Sequence, residues 1–240
     1  MRILHQDSDE VGQETLGQLI YNQLEDKIMD GEWLPETKVS LRTLASALNT
    51  SVQPVREALG RLIAASALEV APNKAFKVPS LDRAVMDEVW ALRLLLEGEA
   101  AAKFAMNATS TDIEALIERN EAFRAGEYVN DPAVTMRTLM AWNKYILRGS
   151  RCPILTDMVL RLYLRYAPFL AFAMGKAEPH DPSFLQFSLH FQDELVMAIA
   201  AGDAAAARYL RCADLRAFQR YLYDRIGWSD AKSNAKRKLT

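Results

Sequence analysis

The chain has 240 residues, half of them apolar and a quarter charged, with a formal net charge of −2. This composition is ordinary for a soluble protein with a packed core, and the two cysteines are too few for a disulfide framework. The first ten residues become acidic, unlike a signal peptide, and no apolar run reaches the roughly 18 residues of a membrane span, so we expect a cytoplasmic protein.

Three short helices are predicted near the N-terminus. Residues 13–30 place five apolar side chains on one stripe, which predicts an amphipathic helix that ends at Gly31. The stripe comprises Leu16, Leu19, Ile20, Leu24 and Ile28. Ser40 is suited to cap a second helix, and Ser51 a third, whose first turn contains Pro54. Two short helices joined by a tight turn resemble a helix-turn-helix, in which the second helix reads the major groove.

A two-stranded wing is predicted after the third helix. The runs "LEV" and "FKV" are typical of short strands, and "APNKA" between them is typical of a turn, with Asn73 and Lys74 at its tip. Residues 38–77 carry six basic and two acidic side chains. Such a basic patch on an acidic protein suggests a polyanionic partner, although charge alone would also fit a solvated face.

Helical patterns continue through the rest of the chain, beginning at Leu81. Six consecutive helices are predicted, each with a polar cap before it or a glycine or asparagine after it. The predicted fold is therefore mostly α: a winged helix-turn-helix over residues 1–79, followed by an all-α bundle of six or seven helices over residues 80–228. The basic segment 229–240 is expected to be a disordered tail.

Three motifs resemble one known family. "PVREAL" in the third helix, "LRLLLEGEAA" at the start of the bundle and "AIAAGDAAAARYL" near its end are similar to signatures of the GntR family of bacterial transcription regulators. The helical second half is similar to the FadR-type branch, whose effector-binding domain is called FCD. The resemblance implies a homodimer that binds a palindromic DNA operator and is released when a small-molecule metabolite occupies the bundle.

The resemblance also implies which residues contact double-stranded DNA. Arg42, Ser51, Arg56 and the wing-tip Lys74, next to Asn73, match DNA-contacting positions of the family. For Ser51 the physical reason is that a hydroxyl and a backbone N–H at a helix start can hold a phosphate.

Two positions depart from the family pattern. Val52 stands where the family often has arginine, and Leu41 where it often has glutamate. Val52 can contact a thymine methyl but cannot make a bidentate contact to guanine, so we expect Gln53 to be the main reader of bases. For Arg56, an ion pair with Glu57 is the alternative to DNA contact.

The resemblance further implies a divalent metal site that this sequence lacks. The positions that match the family's metal ligands are Leu139, Asn143, Gln192 and Asp214, and none of them is histidine. Imidazole is the ligand that zinc and nickel favour, so we expect neither a bound metal nor another cofactor.

An effector site is predicted in the same part of the bundle. Asn143, Gln192 and Asp214 would be polar groups among apolar helices, which either hydrogen-bond to one another or to water, or bind an effector. Arg93, flanked by large apolar residues, is the candidate anchor for a carboxylate effector, with an ion pair to Glu97 as the alternative. Tyr166, near the helical Pro168, is a weaker candidate.

These observations favour a ligand-responsive DNA-binding regulator, most simply a repressor of a catabolic operon. The alternative is an all-α small-molecule-binding protein or enzyme whose winged helix serves protein contacts only. The sequence offers no nucleophile–base pair and no phosphate-binding loop in support of catalysis. A third possibility is an oligomerisation scaffold, which would neither bind DNA nor fill a cavity.

Overall fold

The computed structural model describes residues 15–71, 75–125, 132–175 and 182–228. Their first part folds as a winged helix-turn-helix. Its elements are α1 (Leu16–Met29), β1 (Lys38–Val39), α2 (Leu41–Ala47), α3 (Val52–Ala64), β2 (Glu69–Val70) and β3 (Phe76–Lys77). Ser40 begins α2 as predicted, because its hydroxyl accepts a hydrogen bond from the Thr43 N–H. Ser51 is the residue before α3, but its hydroxyl makes no capping bond.

The wing contains one strand more than predicted. β2 and β3 pair antiparallel as expected, and β1 pairs with the other edge of β3, so that the strand order is β1-β3-β2. The predicted wing tip, Asn73 and Lys74, lies outside the described residues.

The apolar stripe of α1 is only partly buried. Ile20, Leu24 and Ile28 lie in the core, but Leu16 and Leu19 are exposed, contrary to the prediction. The neighbouring α3 reaches this end of α1 through Arg61, whose Nη1 donates to Gln18 Oε1 (2.9 Å) and whose guanidinium lies 3.8 Å from the centre of the Tyr21 ring. Arg61 therefore covers Gln18 and Tyr21 and leaves Leu16 and Leu19 exposed.

Six helices form the bundle in the second part of the described chain, which confirms the predicted fold class. They are α4 (Arg83–Asn107), α5 (Ser110–Arg124), α6 (Pro132–Gly149), α7 (Pro153–Met174), α8 (Pro182–Ala200) and α9 (Ala204–Arg225). The helix predicted from Leu81 begins at Arg83, since the Asp82 carboxylate caps it by accepting from the Val85 N–H (3.1 Å). None of the helices in the described ranges is long and apolar enough to cross a membrane.

The central helix α4 packs against α6, α7, α8 and most extensively α9. Gly98 lets α4 and α9 approach closely, because a Cβ at this position would lie 2.7 Å from Cys212 Sγ. This approach brings the polar residues of α4 and α9 within hydrogen-bonding distance of each other.

The winged domain packs on the bundle through the end of α1, which contacts α6 and α7. Gly31 follows α1 with φ +76°, and a Cβ there would lie 2.7 Å from Ala171 Cβ of α7. A left-handed residue without a side chain is therefore needed where the chain turns against the bundle.

Candidate functional site

The first turn of α3 is presented outward. Ser51, Val52, Gln53 and Arg56 are exposed, whereas the opposite face of the helix is buried in the core. The buried residues are Val55, Ala58, Leu59 and Leu62. The tight turn before α3 includes Asn49 at φ +48°, a conformation that asparagine tolerates better than most residues. The chain thus fixes α3 by its apolar face and leaves its N-terminal polar face free for a ligand.

Two arginines of this surface have no counter-charge. Within the described ranges, neither Arg42 nor Arg56 has a carboxylate within 4.0 Å, so the alternative Arg56–Glu57 pair is not formed. Glu57 instead accepts from Gln53 Nε2 (2.8 Å), and Gln53 would have to leave this bond to read a base. By contrast, Lys77 is held by Glu36 and Glu69.

A buried polar network lies inside the bundle. Arg93 and Glu97, one turn apart on α4, are each 1% exposed, and Arg93 Nε donates to Glu97 Oε1 at 2.6 Å. This is the alternative that the sequence left open for Arg93. Arg211 of α9, which is 2% exposed, donates from Nη2 to the second carboxylate oxygen, Glu97 Oε2 (2.5 Å). Tyr163 of α7 also donates to Glu97 Oε2, at 2.9 Å.

Arg211 also binds two of the predicted site residues. Its Nη2 donates to Asn143 Oδ1 (2.5 Å) and its Nη1 to Asp214 Oδ2 (3.0 Å). The sequence left two alternatives for Asn143, Gln192 and Asp214: they satisfy one another or water, or they bind an effector. The structure instead joins Asn143 and Asp214 through Arg211, which sequence reasoning missed. One sequence feature could have indicated the role of Arg211: it lies three residues before Asp214 on the same helix, α9, which packs against α4.

Four buried polar atoms around Arg93 and Arg211 have no hydrogen-bond partner among the residues that the structure describes. They are Arg93 Nη1, Arg211 Nε, Tyr166 Oη and Trp90 Nε1. Gln192 Oε1 on α8 and Trp142 Nε1 on α6 are also buried without a partner there. The Arg93 guanidinium lies 3.9 Å from the ring centre of Tyr166 and 4.5 Å from that of Trp90. Buried donors without partners carry a desolvation cost, which a ligand with acceptor atoms would remove.

Burial and the two arginines together set the ionisation of the network. Burial opposes the charge of Glu97, but Arg93 and Arg211 outweigh it and hold the pKa of Glu97 below its usual value. Burial raises the pKa of Asp214, against the effect of Arg211. Burial also raises the pKa of Tyr166 to about 12, so its hydroxyl remains a donor at neutral pH. The unpartnered atoms are mostly donors and two of them belong to cations, an arrangement that suits an anion.

The residues present do not fit the divalent metal that the resemblance implied. Leu139 offers no donor atom and packs against the core, while Asn143 Oδ1 and Asp214 Oδ2 already bind the Arg211 guanidinium. Among the residues that the structure describes, no group of three His, Cys, Asp or Glu side chains could hold a metal ion. The positive charge that Asn143 and Asp214 bind is therefore the Arg211 guanidinium.

The fold and these surfaces define a protein with a winged-helix domain followed by a helical bundle with a buried polar site. Residues 16–78 match the family described as "Bacterial regulatory proteins, gntR family", and residues 88–217 match the FCD domain. The chain therefore belongs to the GntR family of transcription regulators, whose members bind DNA and, through the FCD domain, small-molecule effectors.

Two relatives illustrate the membership. The chain is 30% identical to the HTH-type transcriptional regulator McbR of Escherichia coli (strain K12) over 190 residues, which are 79% of this chain and 85% of that protein. The solved structure of E. coli McbR/YncC superposes with a TM-score of 0.80 at 28% identity and covers 88% of this chain and 99% of that one. A GntR-type regulator of Rhodococcus sp. RHA1 shares the fold, with a TM-score of 0.70 at 19% identity over 89% of this chain and 99% of that one.

These relatives are transcription regulators and not enzymes, which confirms the predicted class and removes the enzyme alternative.

Proposed function

We propose that this GntR-family regulator is a cytoplasmic homodimer of the FadR-type branch that represses a catabolic operon. It binds a palindromic operator and leaves it when a small carboxylate metabolite enters the bundle. The observation that supports the DNA contact is the exposed start of α3, where no carboxylate of the described residues pairs with Arg56 or with Arg42 of the neighbouring α2. A polyanion is the partner that such arginines lack.

A palindromic operator implies a dimeric protein. One copy presents a single recognition helix, and two copies related by a two-fold axis present two, which read inverted half-sites about one helical turn apart. Leu92 and Leu95 support an interface on α4, since they are 46% and 71% exposed although both are large and apolar. The mass of the purified protein in solution, measured by light scattering, tests this step.

Replacing either arginine by alanine is expected to weaken operator binding without changing the melting temperature. The expected cost of Arg56→Ala and of Arg42→Ala is about 1–3 kcal/mol each, and the slope of log affinity against log salt is expected to fall by about one for each phosphate that is no longer bound. The measurement is fluorescence anisotropy over a salt series, on a duplex selected from a random library by the wild-type protein.

The matched control is Arg220→Ala, which removes an exposed arginine from α9 of the bundle. This variant is expected to bind the duplex like the wild type. Undiminished affinity in both Arg56→Ala and Arg42→Ala would remove α3 as the DNA-reading helix.

The effector site in this proposal is the buried network around Arg93 and Arg211. Arg93 Nη1, Arg211 Nε and Tyr166 Oη are donors that a carboxylate would satisfy, and Gln192 Oε1 is an acceptor for a ligand hydroxyl or amine. Asn143 and Asp214 would act through Arg211, which both of them hold. A small carboxylate with a hydrogen-bond donor of its own has the complementary chemistry.

Tyr166→Phe distinguishes a ligand-binding hydroxyl from a merely buried one. Without effector, we expect the variant to be more stable by up to about 1 kcal/mol, because it removes a buried donor that has no partner. With effector, we expect weaker binding, because the same donor would contact the ligand. Thermal unfolding with and without the carboxylate gives both quantities.

Tyr163→Phe serves as the comparison, since the Tyr163 hydroxyl already donates to Glu97 and its removal should destabilise the protein in both conditions. Equal effector affinity in wild type and Tyr166→Phe would exclude the Tyr166 hydroxyl from the site.

A further inference from the structure

A cavity of about 570 Å³ lies where the winged domain meets the bundle. The winged domain contributes the chain between the end of α3 and β2, the connection from β3 to α4 contributes a second wall, and the helices α4 and α7 contribute the third. Cavities of this size at domain junctions are common places for small ligands. This cavity is separate from the network around Arg93.

The two sites lie on different faces of α7. Tyr163 and Tyr166 surround Arg93, whereas Leu164, Arg165 and Pro168 line the junction cavity. A ligand in the cavity would therefore not contact the buried network.

Most of the cavity lining is apolar, and among its charged groups only Arg165 has no partner in the part of the chain that the structure describes. Glu69 Oε1 is paired with Lys77 Nζ at 3.0 Å, and the Asp82 carboxylate accepts from the Val85 N–H at 3.1 Å. Arg165, in contrast, forms no ion pair with a carboxylate in the described ranges. Lys77 compensates the charge of Glu69, and the Asp82 carboxylate is held at the start of α4, where the helix dipole favours it. Arg165 is therefore the charged group of the lining that is available to a ligand.

We propose that the junction cavity is a second ligand site, which binds an apolar monocarboxylate. The carboxylate would pair with Arg165, and the apolar body would lie against Leu68, Val85 and Phe169. Burial of the body supplies affinity in proportion to its apolar area, and the guanidinium selects the anionic head. Because both domains contribute walls, the bound molecule would contact the winged domain and the bundle at once.

Isothermal titration of the full-length protein with decanoate tests the proposal. We expect one decanoate per chain, and Arg165→Met is expected to weaken binding about tenfold to a hundredfold, since it removes a charge-assisted contact. Arg161→Met, which removes an exposed arginine one turn earlier on α7 but outside the cavity lining, is the matched control and should bind decanoate like the wild type. Decylamine has the same chain with a cationic head and should bind far more weakly.

A second variant fills the cavity. Val85→Trp is expected to abolish decanoate binding, because the indole would occupy the space of the apolar body. If Val85→Trp does not fold, as its melting curve would show, the comparison of Arg165→Met with Arg161→Met decides alone. The proposal is overturned if decanoate does not bind, if Arg165→Met binds it like the wild type, or if decylamine binds equally well.

Discussion

Arg211→Met is expected to destabilise the protein by about 3–5 kcal/mol, which for a chain of this size lowers the melting temperature by roughly 6–20 °C. The reason is that Arg211 holds the Glu97 carboxylate, Asn143 and Asp214 inside the bundle, and its removal takes a donor from all three. The methionine keeps most of the bulk but leaves Glu97 with Arg93 and Tyr163 alone. Differential scanning calorimetry at neutral pH measures the change.

The matched control is Arg208→Met on the same helix. Arg208 pairs with Glu99, but the side chains of both residues are partly exposed, so its removal should cost only about 0–1 kcal/mol. The double variant Asp214→Asn with Arg211→Met should recover part of the stability, because the amide needs no counter-charge while Arg93 keeps Glu97. A destabilisation below about 1 kcal/mol in Arg211→Met would show that the network contributes little to the stability of the bundle.

The pH dependence of the free energy of unfolding is a second measure of how Arg211 stabilises the Glu97 carboxylate. Since the pKa of Glu97 is lowered in the folded protein, its contribution is complete above the ordinary carboxyl value of 4.5 and is lost as the pH falls toward the lower folded value. We expect the free energy of unfolding of the wild type to decrease over this range. Arg211→Met should show a weaker decrease, because one of the two cations that lower the pKa is gone.

The regular elements were predictable because their signals are local. Caps, apolar periodicity and glycines set the ends of the predicted helices to within a few residues, as with Ser40 and α2. The strand β1 was missed because Lys38–Val39 is too short to show alternation and pairs with β3, far along the chain. Local signals of this kind carry no information about which distant segments of the chain pair with each other.

The same limit applies to the sites. The Arg93–Glu97 pair lies four residues apart on one helix, and the sequence offered it as an alternative. Arg211 is 114 positions from Glu97, so its role depends on the contact of α4 with α9 at Gly98. The proposed DNA contacts followed from the family resemblance, but the bond between Gln53 and Glu57 appears only in the folded helix.

The geometry offers a physical route from the proposed effector site to the winged domain. Tyr163 and Tyr166 of α7 surround Arg93, and Ala171 of the same helix packs against Gly31 at the end of α1. Helix α1 in turn packs on α3, the proposed recognition helix. A ligand that draws Arg93 away from Glu97 would act on α7, and α7 contacts the element that positions α3. Coupling of this kind requires that the effector binds the two arrangements with different affinities.

Arg93→Met is therefore expected to abolish effector-induced release and to leave operator binding without effector unchanged. In the wild type, the carboxylate that releases the protein in a screen of metabolites should weaken operator binding by a factor of about 5–150, the usual range of allosteric coupling. In Arg93→Met this factor should fall to near one, since the variant lacks the charge that anchors the ligand. Anisotropy titrations of the operator duplex at fixed effector concentrations measure both numbers.

The control is Lys103→Met, which removes a partly exposed cation farther along α4 and should retain the full effector response. Arg93→Lys keeps the charge but not the planar fork, so we expect a reduced response rather than none. The opposite outcome is also informative. If Arg93→Met is released at the same effector concentration as the wild type, Arg93 serves only as the partner of Glu97, and the ligand binds elsewhere in the protein.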